Sequence, residues 1–235
     1  MEAQVKPKRT FYGKVAIVGP TGSGKSYMSK TADRASTGYI NSELQPLPYR
    51  EHGFKHFEEP KTWDEFIGVI QKYKNDAEIK RIIIDSQTMA LQRLNHECRT
   101  LHQNWDIAKN YNKRVYAYLE LLKSIDKDII VFSHDEFVKI DDGTKQKRMV
   151  VHNKEYEGKL EQHFVIVLYT GTKLVDKRPK YFLKTYEQDT SAKCPEELFP
   201  TSGSDKNNLL EIPNDANYIF NALENFSNGN YRSEH

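Results

Sequence analysis

The chain has 235 residues, of which 29% are charged, yet its formal net charge is only +2. It is long enough for one sizeable α/β core and too evenly charged to hold a polyanion with its whole surface, so any such contact needs a local basic patch. Only Cys98 and Cys194 are present, without paired spacing, which argues against a disulfide framework or a Cys-built zinc site; no apolar run approaches a membrane span and the start carries Lys6, Lys8 and Arg9 rather than the apolar stretch of a signal peptide. A cytoplasmic protein with no membrane contact is expected.

In chain order, residues 1–13 are expected to be a flexible basic arm, residues 14–224 the folded domain, and residues 225–235 a tail poor in apolar side chains that frays. The basic stretch Lys6 to Lys14 has three open readings: a subunit-linking arm, a DNA contact or disorder. Within the domain, short Val- and Ile-rich runs alternate with amphipathic stretches, the pattern of a mostly parallel sheet flanked by helices. Strands are predicted at Val15 to Val18, Gly38 to Asn41, Arg81 to Asp85, Ile129 to Ser133, Phe164 to Tyr169 and Tyr181 to Thr185. Helices are predicted at Lys25 to Asp33, Trp63 to Tyr73, Ala90 to Leu101 and Asn110 to Ile125, the last with a core stripe of Val115, Leu119 and Leu122. After the fourth strand, Phe137 to Ile140 and Met149 to Val151 flank Asp141-Asp142-Gly143, which predicts a β-hairpin or mobile loop.

Between the first strand and first helix lies Gly19-Pro20-Thr21-Gly22-Ser23-Gly24-Lys25-Ser26, which matches G-x-x-x-x-G-K-[ST] in the strand–helix context that its chemistry needs. Glycines let successive backbone N–H groups converge on an anion, and the helix end adds partial positive charge. Lys25 is placed to reach the outer phosphates and the Ser26 hydroxyl to bind magnesium; with Tyr27 following, these residues are the candidate ATP contacts. Asp85 closes the strand Arg81 to Asp85, where a carboxylate can hold Mg2+ through water or, alternatively, cap the next helix. For the group that orients water, Glu43 after the second strand is preferred over Glu136 after the fourth. His134, ending the fourth strand, is placed to sense nucleotide state, with a core or capping histidine as the alternative.

This order of parts resembles the RecA superfamily of P-loop ATPases. In that family the acidic residue after the second motif activates water and the polar residue after a later strand relays nucleotide state to a DNA-binding loop; those roles fall on Glu43 and His134, although RecA carries glutamine where this chain has His134. The segments Asn41-Ser42-Glu43, Phe132-Ser133-His134 and Thr190-Ser191-Ala192-Lys193-Cys194-Pro195 are similar to elements of small phage-encoded ATPases of single-strand annealing and recombination, over about Lys14 to Leu223. The resemblance implies a RecA-like core, a ring or filament of identical subunits, and cations of one subunit acting on its neighbour's site, with Lys184 and Lys193 as candidates and ordinary solvated lysines as the alternative for each.

The local basic patch is Lys139, Lys145, Lys147, Arg148 and Lys154 on and around the predicted hairpin, with an ordinary solvated face as the alternative, flanked by Phe137 and Tyr156 as candidate stacking rings or, alternatively, core or hinge anchors. Cations on such an arm can neutralise phosphates with little sequence preference, and the resemblance implies single-stranded DNA as the polymer, with a single-strand DNA-binding protein as a further partner. A DNA-stimulated, magnesium-dependent ATPase of phage recombination or replication is therefore expected. The rivals are a nucleotide-gated helicase loader or scaffold and, less well matched, a small-molecule kinase, since such enzymes usually close an arginine-rich lid whereas the long insertion here is lysine-rich and hairpin-like.

Overall fold

The computed structural model describes residues 9, 11–139, 143–201 and 208–228. The first half runs β1 (Lys14–Val18), α1 (Lys25–Met28), β2 (Thr37–Asn41), β3 (His56–Glu58), α2 (Trp63–Asn75), β4 (Arg81–Asp85), α3 (Gln87–Leu101) and α4 (Trp105–Lys123). The second runs β5 (Asp128–Ser133), β6 (Asp135–Lys139), β7 (Lys145–Met149), β8 (Ile166–Val175), β9 (Arg178–Lys184), β10 (Glu211–Pro213) and α5 (Ala216–Asn228). Eight of these strands form one sheet in the order β10-β9-β8-β1-β5-β4-β2-β3. The six from β8 to β3 are parallel, and β9 and β10 extend the β8 side antiparallel.

The sheet is buried on both faces, which is why its central strands are almost wholly apolar. Alternate residues serve opposite layers: Ile82, Ile84, Ile129 and Val131 meet α2, α3 and α4, whereas Ile83, Ile130 and Phe132 meet Met28 and α5. Val115, Leu119 and Leu122 lie in the first layer, as their helical spacing predicts. The start of α2 is set locally: Thr62 accepts from the Glu65 amide and the Glu65 carboxylate accepts from the Lys61 amide, a reciprocal cap.

Several boundaries differ from the sequence expectation. The first helix stops at Met28 and tightens into a 3-10 turn over Ser29–Thr31, where the hydroxyls of Ser29 and Thr31 bond back to the carbonyls of Ser26 and Met28. The third and fourth helices begin earlier, at Gln87 behind the Ser86 cap and at Trp105. β3, β10 and α5 have no counterpart in the predicted elements, β3 and β10 because three residues carry too little pattern. α5 runs to Asn228, and its Phe226 ring meets Phe11 at 5.4 Å, so the packed unit extends past both expected boundaries. Arg9 is docked on Asp128 and Lys14 is buried in β1, which removes those two cations from any DNA-contacting arm. Residues 1–8 of the expected arm and 229–235 of the expected tail lie outside the described residues. No described helix is long and apolar enough to cross a membrane.

Candidate nucleotide site

Four neighbouring parallel strands end at one edge, and the loops leaving them carry the candidate chemistry, as expected of a parallel sheet. The phosphate loop leaves β1 with the Gly19 amide donating to the Ser133 carbonyl at the end of β5 (3.2 Å). β2 and β4 end in register, Asn41 opposite Asp85, and the amides of Ser42 and Glu43 both donate to the Asp85 carbonyl. His134 follows β5, its amide donating to the Thr88 hydroxyl in the first turn of α3 (2.9 Å). These connections bring Lys25, Ser26, Glu43, Asp85 and His134 around one cavity of about 460 Å3.

Inside it, Glu43 Oε1 accepts from Ser86 Oγ (2.7 Å) and stands 3.6 Å from His134 Nε2. Asp85 is fully buried; Tyr39 donates to its Oδ2 (2.6 Å) and the Ser26 hydroxyl lies against the same carboxylate. Desolvation pushes the Asp85 pKa up to about 6, the two hydroxyls opposing. Burial likewise pulls Lys25 down to about 8, with Asp85, Asp135 and Glu43 opposing, so the ammonium keeps its charge at neutral pH. Burial and then Lys25 hold His134 below the usual histidine range, which leaves a neutral imidazole beside Glu43.

The residues present fit a magnesium nucleotide. Gly22 and Gly24 hold φ of 77° and 88°, which bends the backbone amides inward, and a Cβ on Gly22 would point into open space. Ser23 Oγ and Asn41 Oδ1 are buried without a hydrogen-bond partner among the described residues, as polar atoms awaiting a ligand would be. Among those residues no cluster of three or more His, Cys, Asp or Glu is arranged to cage a metal. Magnesium held by one hydroxyl, one carboxylate and substrate phosphates needs no such cage.

The family model for the AAA domain matches residues 12–193, well over half of the chain. The chain belongs to the AAA domain family. AAA domains are P-loop NTPases; they bind nucleotide, usually with Mg2+, and generally hydrolyse ATP. No curated protein matches the sequence.

Around this AAA-domain site the other candidate residues are dispersed. Lys139 on β6 pairs with Lys145 on β7, and Lys147 and Arg148 follow, so these four share one antiparallel hairpin that leaves the sheet directly after His134. The turn at Ile140, Asp141 and Asp142 lies outside the described residues. Lys154 is not on the hairpin but in a later exposed turn, because β7 ends at Met149. Phe137 is exposed, whereas Tyr156 is buried in the core and unavailable for stacking. Glu136, the alternative to Glu43, accepts from the Val151 amide at the hairpin and does not line the cavity. Lys184 is paired with Glu187, and Lys193 is bridged through its main chain to Val167, in a cleft with Tyr12, Lys14 and His163; neither lines the cavity of its own chain.

Three contributors were not anticipated from the sequence: Tyr39, which donates to Asp85; Tyr181, whose ring lies over Gly24; and Pro46-Leu47-Pro48, which form a cavity wall. A clustered pair of prolines after Glu43 was the single local signal among them; the tyrosines are delivered by register alone.

Proposed function

We propose that this AAA domain hydrolyses ATP to ADP and phosphate with magnesium and couples turnover to its hold on single-stranded DNA, as a recombination or replication ATPase of the RecA-like, phage-encoded kind. The observation that carries this reading is the continuity of the cavity with the basic hairpin: Glu43 meets His134, and β6 starts at the next residue. Ser26 and Asp85 would hold Mg2+, which when bound neutralises charge on the phosphates. Lys25 binds the outer phosphates, and Glu43, held by Ser86, orients the attacking water and takes its proton at Oε1 or Oε2. His134, uncharged at neutral pH, links Glu43 to the main chain that enters the hairpin. Lys139, Lys145, Lys147 and Arg148 neutralise backbone phosphates, and Lys184 or Lys193 acts on a neighbour in a ring or filament. A single-strand DNA-binding protein is a further partner in this scheme.

A second reading, a nucleotide-gated loader or scaffold, draws on Leu101 and Trp105, 65% and 89% exposed at the α3–α4 tip. ATP turnover measured with and without single-stranded DNA across a salt series separates the two. Stimulation that is lost in Lys25→Ala, and lost in Lys147→Ala with Arg148→Ala, supports the DNA-coupled ATPase. Slow turnover indifferent to DNA would leave the loader.

A further inference from the structure

We propose that the β8–β9 hairpin is a second arm for single-stranded nucleic acid, and that its grip follows what occupies the phosphate loop. This rests on the DNA-binding reading above and adds a surface which that reading does not use.

The root of the hairpin is seated on the phosphate loop. Thr170 of β8 crowds Gly19 so closely that a Cβ there would overlap the Thr170 hydroxyl, and a Cβ on Gly24 would stand 2.6 Å from the Tyr181 ring of β9. Loop and hairpin therefore touch at both ends of the phosphate cradle without slack, and close-packed parts of this kind shift together rather than separately. Thr170 Oγ1 and Ser23 Oγ are both buried beside the loop without a hydrogen-bond partner among the described residues.

The tip is cationic. Lys177, Arg178 and Lys180 are exposed and make no ion pair with a described residue, whereas Lys173 is held by Glu211 at 2.7 Å and lies over the Phe182 ring. One acid, Asp176, accompanies the three free cations. Beside them Leu174 is 77% exposed and Val175 also faces solvent, apolar surface that suits bases and sugars next to phosphate-binding cations. The two-residue turn puts Asp176 at φ 50° and Lys177 at φ 60°, the left-handed region where glycine sits more easily. The chain thus carries a lysine where its backbone favours none.

The two arms are joined at the root. Glu187, just beyond β9, pairs with Lys184 and lies 4.0 Å from Lys147 of the other hairpin, the Lys147 amide donates to the Asp189 carbonyl (2.9 Å), and Tyr169 of β8 donates to the Lys147 carbonyl (2.9 Å). Exposed Tyr186 adds a ring at this junction. Two separate basic arms bracketing one loop fit a flexible polyanion that can follow both, which is why a single strand is the occupant.

The test is fluorescence anisotropy of a labelled oligo-dT of about 30 nucleotides, spanning more than one arm. It is run across salt, with magnesium and a non-hydrolysable ATP analogue or with no nucleotide. The tip variant is Lys177→Gly with Arg178→Ser and Lys180→Ser. Its affinity with the analogue should fall at least about fivefold, and the log–log salt slope should flatten by about 2. The difference between nucleotide states should shrink, while the unfolding temperature is no lower than native because glycine suits the turn. Swapping charges in kind, Arg178→Lys with Lys180→Arg, should keep binding. Native affinity and slope in the tip variant, alongside loss in Lys147→Ala with Arg148→Ala, overturn the second arm and leave the DNA reading standing. Absence of binding by the native chain in every state overturns both. Altered sedimentation with unchanged affinity would make the tip a subunit contact instead, which also overturns the proposal.

Discussion

Glu43 owes its position to two neighbours: its amide is held by the Asp85 carbonyl and its carboxylate by Ser86. Glu43→Gln keeps the shape and that hydrogen bond but removes the carboxylate proposed as the base, so turnover should fall about 100-fold or more while a fluorescent ATP analogue still binds. Equal loss of binding and turnover would show that the residue acts through structure. Lys14 illustrates a different cost. Desolvation lowers its pKa to about 8, with Asp128 opposing, although Nζ donates to the carbonyls of Ile125 and Lys127. The unfolded chain holds that proton up to about 10.5, so between these values it binds more protons than the folded one and stability rises with pH. The stability of the native chain minus that of Lys14→Met should therefore grow by about 2 kcal/mol from pH 8 to 10 in urea unfolding. A flat difference would mean that the ammonium is better hydrated than its burial suggests.

Elements differ in how far local chemistry builds them. α2 carries its own start signal in Thr62-Trp63-Asp64-Glu65, with Trp63, Phe66, Ile70 and Tyr73 on one buried face. Thr62→Ala removes the acceptor for the Glu65 amide and should cost about 1 kcal/mol, read as a lower unfolding temperature with unchanged nucleotide binding. α1 is the opposite case: four residues follow a left-handed Gly24, and no isolated peptide of that length would be helical. It persists because Met28 is buried against α5 and β2, so the strand–loop–helix motif was readable while the helix length was not. A hairpin or mobile loop was expected around Asp141-Asp142-Gly143, but the second strand runs Lys145–Met149 rather than Met149 to Val151, and the register, which pairs Lys139 with Lys145, was not legible.

At the scale of the molecule, the two ends of the described chain meet. Arg9 forms a two-pronged pair with Asp128 (2.7 and 3.0 Å), a carboxylate 1% exposed, and Phe11 packs on Phe226 of α5. Removing one partner of a buried pair leaves the other uncompensated. Arg9→Ala should destabilise the fold by about 3 kcal/mol at neutral pH, and by less in acid, where Asp128, already raised by burial, can take a proton. Denaturant midpoints at pH 7.5 and 5 check both parts; no loss would show that the segment merely rests on the sheet. The sheet itself places the two basic hairpins on the strands either side of β1.

The sequence by itself determined the fold class and the phosphate site. The phosphate loop is contiguous, its glycines and Lys25-Ser26 act through backbone geometry that depends on near neighbours, and apolar runs ending in Asp85 or His134 announce buried strands. Only the tertiary structure decided which groups share the cavity. Glu43, Ser86 and His134 come from three loops and meet through the register of β2, β4 and β5. Thr170 and Tyr181 reach Gly19 and Gly24 across more than a hundred residues of chain. Local pattern reports what a residue does to its own backbone, whereas contacts between strand ends depend on pairing of distant segments, which no local periodicity encodes.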